Sequence, residues 1–191
     1  MSSPMAFLII LSFILYPMVY GHLVETTMSM PKTSWFDLLK THWANYLCVT
    51  IILALPVIIL SFLYDDMAYI QKTAIKNLNG FIIHCLAIYI WPLVFLRKQI
   101  KNPIVRGIST IFTNIKVSIP LILLTFVIFA VKFLAALSML KLLPLTTLKA
   151  LLVGFAQNVI TVYLGLIIFT AATIFLKEQI DKQTNQQEFN N

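Results

Sequence analysis

Four polar positions in this chain lie inside runs otherwise fit for hydrocarbon: Lys132, His84, Gln157 and Asn158. An ionisable or amide group in such a run is costly, so each is a candidate for function, charge pairing or helix packing. Lys132 lies near the end of its run, and its long stem allows either of two arrangements. The ammonium can snorkel to the membrane interface, or it can pair with Asp65 or Asp66, which close an earlier run on the same side. His84 enters only a few residues into its own run. There it reads as an interfacial imidazole with one ring nitrogen hydrogen-bonded.

Gln157 and Asn158 sit deeper, and amides at such depth cross-link helices by hydrogen bonds of about 0.6–2 kcal/mol. Asn158 also belongs to a stripe of small or polar residues, Ala150, Gly154, Asn158, Thr161 and Gly165, that forms one helical face. Small side chains let a neighbouring backbone approach, so the stripe reads first as a helix-packing face and second as a substrate path.

Several chemistries are missing. No Gly-rich phosphate loop, Ser/His/Asp arrangement or zinc-protease His-Glu motif occurs. The 7 acids all lie outside the apolar runs, which disfavours a proton-driven pump. The 3 histidines make no Cys/His metal spacing. His22 and His42 are expected on the face opposite His84, against haem ligation by a His84 pair. Cys48 and Cys85 both fall in apolar runs and read as small buried side chains rather than a disulfide. No catalytic residue, cofactor or metal is expected, and the chain reads as non-enzymatic.

The elements that position these residues follow from composition. Of 191 residues, 60% are apolar and 11% charged, against about 25% charged in an ordinary soluble domain. A water-soluble fold of this size could not bury that much apolar surface. A span needs about 20 apolar residues, and the runs Met5–Tyr20, Leu47–Tyr64, Phe81–Leu96, Val117–Leu137 and Leu148–Leu176 meet or approach that length. The first and third are short and are expected to use Tyr16, Tyr20, Trp91 and Phe95 as interfacial anchors. The first run lacks a preceding cation and a good cleavage site, so it reads as a retained span rather than a signal peptide.

The net charge of +7 suggests nucleic acid until its placement is examined. Lys32, Lys40, Arg97, Lys98, Lys101, Arg106, Lys116, Lys177 and Lys182 fall on one side of the spans, and only Lys72, Lys76, Lys141 and Lys149 on the other. That asymmetry puts the first set in the cytoplasm, with the N-terminus outside and the C-terminus inside. Arg97, Lys98, Lys101, Arg106 and Lys116 would meet anionic lipid headgroups; no nucleic acid is expected.

Two connections read as amphipathic helices on the inner surface. Ser34 caps the first, with Asp37 three residues on as a short-armed capping box. Trp35, Leu38, Leu39, His42 and Tyr46 then share a face. In the second, Pro103 suits a first turn, and Ile100, Ile104, Ile108, Ile111 and Ile115 form a stripe that either lies on lipid or docks on the bundle. An internal repeat is expected, because Tyr16-Pro17-Met18-Val19-Tyr20 matches Trp91-Pro92-Leu93-Val94-Phe95 in type. Residues 1–178 therefore form one transmembrane domain, and 179–191 a short polar cytoplasmic tail.

These segments carry a resemblance. The aromatic-Pro span, the Ser34-Trp35-Phe36-Asp37-Leu38-Leu39-Lys40 helix, the Pro56-containing span and the stretches Val162-Tyr163-Leu164-Gly165 and Phe175-Leu176-Lys177-Glu178 resemble a family of bacterial polytopic proteins. That family is similar to the membrane domain found beside some glycerophosphodiester phosphodiesterases. The resemblance runs from about Tyr16 to Glu178 and implies an accessory or transport-related membrane protein, with no catalytic residue to carry over. Its members have about six spans with both termini inside, so either a first helix is missing here or the likeness is only architectural. The fold expected is an all-α integral membrane protein, a bundle of about five transmembrane helices with two amphipathic inner-surface helices. Its expected role is a subunit packing against other membrane proteins or itself, the alternative being a transporter or channel component for a small solute or lipid.

Overall fold

The computed structural model describes the backbone of residues 3–63, 67–96, 102–142 and 147–189, and side chains at 11, 13–62, 67–96, 102–137 and 152–182. The described residues form helices α1 (Ser3–Thr27), α2 (Trp35–Leu63), α3 (Tyr69–Ala87), α4 (Ile90–Phe95), α5 (Pro103–Thr113), α6 (Ile115–Leu142) and α7 (Thr147–Phe189). Among them, three stretches are long and apolar enough to cross a membrane: Trp35–Phe62, Ile115–Leu137 and Leu152–Lys182. Their large apolar side chains point outward, with Phe62 74%, Leu123 60% and Phe155 71% exposed. In water such a surface would be an aggregation liability; against lipid it is the expected one. Pro17, Pro56 and Pro120 lie inside helices, as membrane helices tolerate.

Local chemistry sets the helix ends. Ser29 adopts the left-handed conformation at φ 54°, and the Met30 and Ser29 amides donate to the Glu25 and Thr26 carbonyls at 2.8 and 3.3 Å. This is a Schellman stop with serine where glycine usually sits. A cation completes it: the Lys177 ammonium from α7 donates to Thr27 O at 3.1 Å and Ser29 Oγ at 3.2 Å. At the start of α2, the Asp37 amide donates to Ser34 Oγ at 3.2 Å, and the Ser34 hydroxyl donates to Asp37 Oδ2 at 2.6 Å. The expected cap is therefore present, but no break follows it. The amphipathic segment and the second apolar run form one continuous helix, because nothing between Leu38 and Leu47 interrupts the backbone ladder.

The third run departs from expectation in the opposite way. It is broken at Ile88–Tyr89 into the end of α3 and the short α4. Helix α3 instead begins at Tyr69, well before the run. Helix α4 lies at the centre of the molecule, touching α1, α2, α3, α5 and α7. Tyr89 and Ile90 are fully buried and Phe95 is 1% exposed. The Tyr89 hydroxyl lies 3.2 Å from Ser118 Oγ, and the Ser118 hydroxyl donates to Asn114 O at 3.0 Å. Gln179 of α7 reaches Asn114 Oδ1 at 3.3 Å. Around this hub α1 packs along α2, and α6 packs along both α3 and α7.

The isoleucine stripe of α5 docks on the bundle. Ile111 is buried and Ile104 and Ile108 pack on the core, whereas Val105, Arg106 and Phe112 are exposed. Gly107 permits the contact, since a Cβ there would stand 2.5 Å from Ile90 Cγ1 and 2.8 Å from the Ile90 backbone nitrogen. Ile115 falls outside the stripe, 45% exposed at the start of α6, and Ile100 lies outside the described residues.

Candidate functional site: a cavity inside the helical bundle

The aromatic-Pro segments assemble one wall of a cavity. Tyr20 of α1 stacks obliquely on Phe95 of α4 at 5.9 Å and on Phe169 of α7 at 4.4 Å. Tyr46 of α2 sits 5.4 Å from Trp91 and 6.4 Å from Tyr16. The expected anchoring role is thus corrected for Phe95, which is buried in the core, while Tyr20 and Trp91 are half-buried and pack against that core. The break before α4 turns this segment inward, and ring–ring contacts stabilise the arrangement by about 0.5–1.5 kcal/mol per pair beyond burial.

The opposite wall centres on Phe129 of α6. The His84 imidazole meets its ring edge-on at 5.0 Å, and the Lys132 ammonium lies over its face at 4.9 Å from the centroid. This geometry suits a cation–π contact. His84 Nδ1 donates to the Gly80 carbonyl at 2.8 Å. A carbonyl only accepts, so the proton is on Nδ1 and the neutral ring keeps Nε2 as an acceptor. His84, on α3, thus has one ring nitrogen hydrogen-bonded.

Between these walls lies a space of about 350 Å³, bordered by Tyr16, Tyr20, Tyr46 and Trp91 on one side and His84, Phe129 and Lys132 on the other. Thr125 of α6, with Thr161 and Gly165 of α7, also line it. The Thr125 hydroxyl donates to Leu121 O at 2.8 Å, and Thr170 and Thr173 make the same bond four residues back. Thr161 does not: its Oγ1 is buried without a hydrogen-bond partner. At Gly165 a Cβ would meet no atom within 4 Å. Two members of the small-residue stripe, Thr161 and Gly165, therefore border the cavity.

The remaining candidates are dispersed. Gly154 and Gln157 are half-buried and Asn158 is exposed; none of them borders the cavity. The Ala150 side chain lies outside the described residues, as do Asp65 and Asp66, the expected partners of Lys132. Arg97, Lys98 and Lys101 also fall outside them, while Arg106 and Lys116 are exposed. Among the described residues no three His, Cys, Asp or Glu gather as a metal-binding group. His22 stacks on Trp35 at 5.1 Å and His42 meets Phe95 at 5.4 Å, both apart from His84. Cys48 and Cys85 are free thiols, and Cys48 is exposed on α2.

Sequence reasoning missed Thr125, which carries no marker that separates it from lipid-facing neighbours, and placed Tyr46 only on the face of an expected surface helix. Outside the cavity it also missed one buried acid. Glu25 was placed beyond the first apolar run, yet α1 continues through it and buries it to 2%. Its carboxylate accepts the Thr33 amide at 3.1 Å and the Thr33 hydroxyl at 2.6 Å. The signal was present in Thr26, Thr27 and Ser29, a cluster of stop residues placed later than the end of the run. Compared with protein-family models, with curated proteins and with solved structures, the chain matches none.

Proposed function

We propose that this chain is a non-enzymatic multi-pass membrane protein that holds a small solute or lipid in its central cavity, as a transporter or carrier component. The observation that carries this reading is the cavity itself. It is formed by α1, α2, α3, α4, α6 and α7, its walls are mainly aromatic, and a few polar groups converge on it. Pockets of about 300–1,000 Å³ with that mix are the usual setting for small-molecule binding. In this reading five segments cross a bacterial cytoplasmic membrane, with the N-terminus outside and the C-terminus inside, in accord with the cation asymmetry.

A second reading, an accessory subunit packing against other membrane proteins or a second copy, draws on one observation. Beside the stripe, α7 carries Phe155, Val159 and Tyr163 at 71, 51 and 66% exposure, a broad apolar face that a partner helix would cover. Gly165→Phe separates the two readings. Filling the cavity should abolish thermal stabilisation by any bound solute or lipid and leave co-purifying membrane proteins unchanged. Loss of those proteins with solute binding intact would favour the subunit reading instead.

A further inference from the structure

We infer that the cavity takes an amphipathic organic anion, its acidic headgroup held at Lys132 and its apolar body lying against the tyrosine and tryptophan wall. This deepens the reading of the cavity as a small-molecule site and rests on it. The charge composition selects the ligand sign: Lys132 borders the space, and among the described residues no Asp or Glu borders it. Among the described residues no carboxylate pairs with that ammonium, which lies over the Phe129 ring. A cation half-buried among apolar groups is stabilised by an anion far more than an exposed one would be, because the surroundings screen little.

Neighbouring groups match an acid as well. Thr161 lines the space with its hydroxyl covered and unpartnered, an orphan donor that a headgroup oxygen would satisfy once the side chain turns toward it. His84, with its proton on Nδ1 facing Gly80 O, offers Nε2 to a protonated acid or, once charged, a second donor to the anion. Apart from Thr125 and the tyrosine hydroxyls, the rest of the lining is ring and aliphatic surface, which favours an alkyl or aryl body over a sugar or inorganic ion. The volume of about 350 Å³ lies at the small end of the ligand range, matching a single-chain acid rather than a whole diacyl lipid.

The test uses the full chain in zwitterionic nanodiscs with Trp35→Phe and Trp43→Phe, leaving Trp91 as the sole tryptophan and a reporter in the cavity wall. The probes are a terminally brominated medium-chain carboxylate, the matching alkyl phosphate, alcohol and trimethylammonium. The carboxylate and phosphate should quench Trp91 saturably, with the alcohol and ammonium weaker by about tenfold or more. Lys132→Met should remove that preference and Lys132→Arg retain it. Asp65→Asn/Asp66→Asn should leave the preference intact. Loss of acid binding in that double variant would mean those carboxylates organise the site, and would overturn a free Lys132 headgroup site. Competition by phosphatidylglycerol would overturn the single-chain assignment while keeping the anion site; its absence would support a free single-chain acid. Equal binding of alcohol and acid would overturn the anion inference while leaving the cavity as an apolar site. No saturable quenching by any probe, with Gly165→Phe unchanged in thermal response to all of them, would overturn the cavity reading itself.

Discussion

Two glycines of the same residue type predict opposite outcomes. Gly107 lies where α5 meets the Ile90 backbone, and a methyl group there has no room. Gly107→Ala should lower stability by about 1–3 kcal/mol, the usual range for overpacking, seen as an earlier thermal transition in detergent. At Gly165 the space is open. Gly165→Ala should therefore raise stability by about 0.5–1 kcal/mol through helix propensity alone. If both substitutions shift the transition in the same direction, the close approach of α5 to α4 or the opening at Gly165 is wrong. Glu25 is a third residue-scale case. Truncating it to Ala strands the two Thr33 donors that it accepts and should cost about 1–3 kcal/mol, as unsatisfied buried groups do.

At the scale of elements, the ends of helices connect distant parts of the chain. The last carbonyls of α1 are reached by Lys177, 150 residues away in sequence, so one side chain ties the first helix to the last. Lys177→Met should lower stability by about 1 kcal/mol, and Ser34→Ala should lower it by a similar amount, about 1 kcal/mol, by removing the cap of α2. The two sites share no partner, so the double variant should be additive within about 0.5 kcal/mol; thermal unfolding of the set checks this. Strong coupling would show that both caps report on a single docking event between α1, α2 and α7.

For the molecule as a whole, the outward-facing apolar surface and the interior cavity set the topology problem. The proposed orientation places the chain end after α7 and the α5 segment on the same, cytoplasmic side. A reporter fused after Asn191 should read cytoplasmic, and one inserted at Lys76 should read external. A cytoplasmic reading at Lys76 would show that the proposed span count or orientation is wrong. That break makes the third crossing the least regular, since α4 has only 6 residues and is buried rather than lipid-facing.

Composition and apolar run length determined helical character and placed α2, α6 and α7 as helices long and apolar enough to cross a membrane, because a lipid solvent imposes length and hydropathy on each crossing helix. Local rules placed the Ser34 cap and the Pro103 start, since both depend on neighbours within four residues. They also singled out Lys132 and His84 as polar groups near the ends of apolar runs, and Thr161 as a member of the small-residue stripe. Tertiary structure alone decided that these three border one space, because their meeting depends on how α3, α6 and α7 pack. It also turned Tyr20, Trp91 and Phe95 from interfacial anchors into cavity wall and core. An aromatic ring next to proline suits a membrane interface and a helix crossing equally well, and only the contacts between α1, α4 and α7 distinguish them. Glu25 was hidden for the same reason: the end of an apolar run is a statement about lipid, whereas the end of α1 is fixed by Ser29 and by a lysine from the far end of the chain.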